Sequence, residues 1–144
     1  NMLNQSWITT SSEYGALHGI AVHSDCDGNY YVYSTGRTDG NIYKFDAFRS
    51  LCPVTNQPDW AVIYLSFGSK VEIPWLVQYL SSFREMGEFH ELCMDKIYST
   101  IKNKFNLKKI SVYGRFMRRG GIDINPIRSS TPINKFNNHR EFSQ

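Results

Sequence analysis

The chain has 144 residues, of which 41% are hydrophobic and 20% charged, and a net charge of +3. That length suits one domain with a real core, while the charge is too small, and too scattered, to mark a nucleic-acid surface. No apolar run approaches the about 20 residues that cross a bilayer, and Asn1 to Thr10 lacks the basic and apolar blocks of a signal peptide.

Residues 1–15 are polar, rich in Ser and Thr and aperiodic, and read as a loose segment. Leu17 to Val22 and Tyr30 to Tyr33 flank the turn cluster Ser24 to Asn29, which predicts a hairpin. Gly36 to Gly40 marks another turn, and Ile42 to Phe48 reads as a third strand or an edge segment. Residues 1–45 are taken together as an N-terminal extension. Pro53 and Pro58 interrupt any regular structure between Ser50 and Asp59. Trp60 to Phe67 alternates as a strand, with Ala61, Ile63, Leu65 and Phe67 on one face, while Val62 and Tyr64 suggest cover on the other.

Pro74 suits the first turn of a helix, and Leu76, Leu80 and Phe83 follow at helical spacing. After Gly87 a longer helix is predicted from Glu88 to Phe105. Its apolar stripe is Phe89, Leu92/Cys93, Ile97, Ile101 and Phe105, with Lys102 and Lys104 at its negative end. Lys108 to Met117 reads as a strand whose inner face carries Ile110, Val112 and Phe116. Gly120-Gly121 makes a turn, and Ile122 to Ile124 starts a short return strand. After Pro126 the chain is polar and basic, and residues 130–144 read as a poorly ordered tail. Strands, two helices and strands again make an α+β fold, an antiparallel sheet with two helices layered on one face.

Three cysteines, Cys26, Cys52 and Cys93, have no paired spacing and make no disulfide framework. A cytoplasmic, reducing setting is the expectation, and there a lone thiol stays reactive. Cys52 is followed by Pro53, and Asp59 stands seven residues on, behind Pro58. An acid beside a thiol can carry protons to and from whatever the sulfur attacks. Cys52 alone would equally suit a small buried hydrophobe in a turn. His90 and Glu91 fall in the first turn of the longer helix, where a carboxylate is stabilised. Glu91 can accept two parallel N–H donors from a ligand, and His90 can donate or orient a proton; a capping acid and a surface histidine are the plainer reading. Arg118 and Arg119 precede Gly120-Gly121, which suits either phosphate contact or the charged end of a hairpin. Cys52, His90 and Cys93 lack close metal-ligand spacing, so no metal is expected.

Three segments, SLCPVTNQPDWA (50–61), YLSSFREMGEFHELC (79–93) and RRGGIDINP (118–126), together resemble the 7-cyano-7-deazaguanine (preQ0) nitrile reductases of queuosine biosynthesis. The resemblance runs from about Phe48 to Arg128 and is closest to the catalytic half of the family's two-module form. It implies a tunnelling fold (T-fold) over residues 46–129, assembled as a homo-oligomer with sites between subunits. It also implies that Cys52 attacks the nitrile carbon to form a thioimide, that Asp59 handles protons and that His90 assists. Glu91 would hold the guanine-like edge, and two hydrides from NADPH would complete the amine. The implied partner is a small-molecule substrate, with no membrane and no direct nucleic-acid contact.

The family's NADPH motif reads Glu-Ser-Lys-Ser-Leu-Lys before an aromatic. Here the place reads EIPWLVQY (72–79), with the acid and one Leu kept and both lysines absent. Three readings of that difference stand open. Another module carries the cofactor motif; or Arg118, Arg119 and Gly120 contact NADPH instead; or the chain resembles the amidine-forming enzymes that add ammonia to the same nitrile without NADPH. A non-catalytic T-fold module that binds a purine-like ligand is the further alternative.

Overall fold

The computed structural model of the chain describes residues 20–24, 30–34, 41–69, 71–133 and 140. The segment 1–15, Cys26, the turns within 25–29 and 36–40, and most of the tail after residue 133 lie outside the described residues.

Six strands form one sheet in the order of the chain, each antiparallel to its neighbours: β1 (Ile20–Ser24), β2 (Tyr30–Ser34), β3 (Asn41–Leu51), β4 (Pro58–Phe67), β5 (Ile110–Phe116) and β6 (Ile127–Ser129). Between β4 and β5 run α1 (Ile73–Ser81), a 3-10 turn (Ser82–Glu85) and α2 (His90–Lys104). This is the expected α+β arrangement of two helices on an antiparallel sheet. Because β3 passes through residues 45 and 46, the N-terminal hairpin and the rest of the chain share one sheet. No helix among the described residues is long and apolar enough to cross a membrane.

The core follows from the alternation in β4. Ala61, Ile63, Leu65 and Phe67 face Leu76 and Leu80 of α1, and Cys93, Met94, Ile97 and Ile101 of α2, within one buried cluster. On the other face of β4, Val62 is buried as well and Tyr64 is half-buried. β3 is longer than its sequence suggested. Phe45 and Phe48 are three apart and would point to opposite faces of a regular strand. A register shift between them turns both into the core. Pro58 is tolerated as the first residue of β4.

Two expectations need correction. On α2 the buried stripe is His90, Cys93, Met94, Ile97 and Ile101, whereas Phe89 and Leu92 are 52% and 47% exposed. The helix begins at His90, so Phe89 sits before it in extended conformation, and Leu92 lies one residue, about 100°, round from Cys93. The return strand is not Ile122 to Ile124. Gly120 (φ 56°) and Gly121 (φ 81°) close a tight turn held by a single bridge between Arg119 and Ile122. Pairing resumes only past Pro126, which has no N–H to give; its carbonyl accepts from Gly114 (3.0 Å) and β6 follows.

Candidate active site

The residues picked out around Cys52 meet where β3, β4, α2 and the turn after β5 converge. Leu51, the last residue of β3, donates to Met86 O and accepts from Glu88 N–H, both at 3.0 Å. These bonds pin the end of β3 to the segment that opens α2. The β3–β4 loop is closed from within: Cys52 N–H donates to Gln57 O (2.8 Å) and Asn56 N–H to Cys52 O (2.9 Å), with Asn56 in the left-handed region. Cys52 thus starts a tight loop beside the N-terminus of α2.

An open cleft of about 350 Å³ lies there, lined by Cys52, Asp59, His90, Glu91 and Arg119 as its reactive and charged groups. Pro53, Phe89 and Ile124 supply apolar walls. The Cys52 thiol is held below its ordinary value of 9.0, chiefly by the Thr55 hydroxyl and then by backbone groups of Thr55 and Val54. Burial and the nearby Asp59 charge oppose this. A thiol so placed is a better nucleophile at neutral pH. Cys93 is the contrast: wholly buried in the core, its thiol is pushed up to about 11 by desolvation. No group of three His, Cys, Asp or Glu side chains able to hold a metal occurs among the described residues.

Asp59 is only 2% exposed, so its carboxylate needs partners. Oδ1 accepts from Arg119 Nε at 2.7 Å and lies 2.6 Å from Arg119 Nη2. Oδ2 lies 3.2 Å from His90 Nε2. The His90 ring is buried and stacked on Phe116, with centroids 4.0 Å apart and an 8° interplanar angle. Phe116 is itself wedged edge-on against Phe48 (6.0 Å). Glu91 is exposed in the first turn of α2, at the positive end of the helix.

Cys52, Asp59, His90 and Glu91 therefore share one cleft. Arg119 joins them, but with its guanidinium turned to Asp59, to Gln57 Oε1 and to Pro58 O (3.1 Å). Arg118 pairs with Asp123 (3.0 Å), which also meets Arg140 (2.8 Å), and Gly120 serves the turn. Sequence reasoning missed Thr55, Gln57 and Phe116. A hydroxyl three residues past the cysteine was a usable signal for Thr55. Nothing local marks Gln57 or Phe116, whose partners lie far off in the chain.

The profile of the family described as QueF-like protein matches residues 58–135. Among curated proteins, the NADPH-dependent 7-cyano-7-deazaguanine reductase of Buchnera aphidicola subsp. Schizaphis graminum is 50% identical over 90 residues, 62% of this chain and 34% of that protein. The protein of the same name from Legionella pneumophila (strain Paris) is 36% identical over 140 residues, 92% of this chain and 49% of that protein. The chain thus spans about half the length of such relatives, or less. Among solved structures, one described as the archaeosine synthase QueF-Like in the apo form matches with a TM-score of 0.60 at 16% identity. It covers 69% of this chain and 100% of that one, a likeness of fold. With a family match across more than half of its length, the chain belongs to the QueF-like protein family.

Proposed function

We propose that this chain is the thiol-bearing half of a cytoplasmic enzyme that converts 7-cyano-7-deazaguanine, and that its activity is the NADPH-dependent reduction for which its relatives are named. The product in this reading is 7-aminomethyl-7-deazaguanine, for queuosine modification of tRNA. The convergence of Cys52, Asp59, His90 and Glu91 on one cleft carries the proposal.

The chemistry starts at sulfur. The Cys52 thiolate attacks the nitrile carbon, and a C–S bond forms as one C–N π bond breaks. The nitrogen takes up the proton that the thiol gave away, relayed by Asp59 and His90, whose Oδ2 and Nε2 are 3.2 Å apart. The thioimide that results is a protonatable C=N, a far better acceptor than the nitrile. Glu91 accepts parallel N–H donors of the guanine-like edge. The apolar walls at Pro53, Phe89 and Ile124 suit a flat heterocycle. Exposed Val54, between the cleft residues Pro53 and Thr55, and exposed Ile122, two residues before Ile124, support a site completed by another copy or a second module.

Reduction of the thioimide to the amine takes two hydrides, which is the chemistry NADPH supplies. Neither the segment at the motif's place nor the two arginines before Gly120 fit its 2′-phosphate within this copy's cleft. EIPWLVQY (72–79) has no lysine or arginine, Arg119 is engaged by Asp59, Gln57 and Pro58, and Arg118 pairs with Asp123. We assign the phosphate contacts to a second module or another copy. The same observation favours a second reading, in which ammonia attacks the thioimide, releases Cys52 and leaves an amidine.

Mixing the protein with 7-cyano-7-deazaguanine is expected to give a covalent adduct by intact mass, and Cys52→Ala none. Absence of adduct from the wild-type chain would leave a non-catalytic binding module. With an adduct in hand, NADPH oxidation supports the reductase, and an ammonia-dependent product without it supports the amidine former.

A further inference from the structure

We propose that Arg119 is a positioning residue for the reacting thiol, fixing Asp59 so that Oδ2 is the oxygen that exchanges protons with His90 in the Cys52 cleft. The inference rests on the covalent role proposed for Cys52. Asp59 Oδ1 is occupied by two nitrogens of one guanidinium, Nε at 2.7 Å and Nη2 at 2.6 Å. Oδ2 is left 3.2 Å from His90 Nε2. The carboxylate is almost wholly buried, so it has little room to exchange its two oxygens.

Arg119 is held at both ends. Its head also donates to Gln57 Oε1 and to Pro58 O, so the fork grips the two residues that lead into the one it orients. Its backbone exchanges two hydrogen bonds with Ile122 (3.1 and 3.0 Å) across the Gly120-Gly121 turn. Met117 N–H to Trp60 O (2.9 Å) carries the β4–β5 ladder up to that turn. A lysine would bring the charge without the planar fork. The charged and titratable groups around the Cys52 cleft are Asp59 of β4, His90 and Glu91 of α2, and Arg119. The Asp59 charge opposes ionisation of the Cys52 thiol, and Arg119 is the cation directly paired with that charge. Arg119 thus sets both the geometry of the proton relay and the charge balance beside the sulfur.

The test uses the full chain and two readouts. One is the pH profile of Cys52 alkylation by iodoacetamide, followed by peptide mass. The other is the rate of adduct formation with 7-cyano-7-deazaguanine. Arg119→Ala is expected to move the alkylation profile to higher pH and to slow adduct formation by roughly tenfold or more. Arg119→Lys is expected to keep the alkylation profile near that of the wild type while still slowing adduct formation. Gln57→Ala, which removes one anchor only, is expected to slow it by roughly threefold. An Arg119→Ala profile that superimposes on the wild type, with an adduct rate within about twofold, would overturn the proposal. So would a loss of NADPH affinity with both readouts unchanged, which would hand the residue to the cofactor. If Arg119→Ala does not fold, an unaltered adduct rate in Arg119→Lys overturns it. Failure of the wild type to form any adduct sinks the covalent reading instead, and the alkylation profiles still decide the charge balance.

Discussion

Gly114 of β5 sits opposite Ile63 where α2 comes down on the sheet, and a methyl group added there has no space. Its Cβ would stand 2.7 Å from Met94 Sδ, 3.3 Å from Met94 Cε and 2.8 Å from Phe116 Cε2. Met94 and Phe116 are both wholly buried, so neither can swing into solvent. Phe116 also carries the stacked ring of His90. Overpacking of this kind costs about 1–3 kcal/mol. For a chain of this length each kcal/mol lowers Tm by about 3 °C, so Gly114→Ala is expected to melt about 3–9 °C lower by circular dichroism. If Phe116 moves to make room, His90 moves with it, and adduct formation slows at temperatures well below the melt. A Tm within about 1 °C of the wild type would refute the packing argument. A lowered Tm with an unchanged adduct rate would show that Phe116 does not hold the histidine.

Other substitutions test the cleft one group at a time. Asp59→Asn keeps the shape and removes the charge, and is expected to slow adduct formation by about 10²–10⁴-fold in stopped-flow or quenched mass measurements. Thr55→Ala removes the largest influence holding the Cys52 thiol below its ordinary value, so the thiol rises and its alkylation profile moves to higher pH. Cys93 is expected to resist iodoacetamide in the native protein and react after denaturation. Its folded value of about 11 stands above the ordinary thiol value of 9.0, so the unfolded thiol ionises first. The stability that burial contributes is intact below pH 9 and is lost as pH rises towards 11, by about 3 kcal/mol. Urea melts of wild type and Cys93→Ala across that range check the slope.

The parts of the fold legible in the sequence are those with a strong local period. β4 alternates cleanly, and Leu76, Leu80 and Phe83 fall at helical spacing and are buried as expected. Periodicity failed where a polar or soft side chain takes a core position. His90 and Met94 belong to the buried stripe of α2, while the more apolar Phe89 and Leu92 face out. The length of β3 was hidden by a bulge that breaks the alternation at Phe45 and Phe48. Cys52, Asp59, His90 and Glu91 were legible as chemistry because each stands in a distinctive segment. The employment of Arg119 was not. Its partner Asp59 is 60 residues away, and only tertiary structure brings a hairpin turn onto the first residues of β4.

The most direct test of the account is peptide mapping after the chain is mixed with 7-cyano-7-deazaguanine. The expected result is one added nitrile mass, confined to the peptide that carries Cys52 and missing when Asp59 is replaced by asparagine within the same short reaction time. An unmodified Cys52 peptide, or an adduct on Cys93, would contradict it.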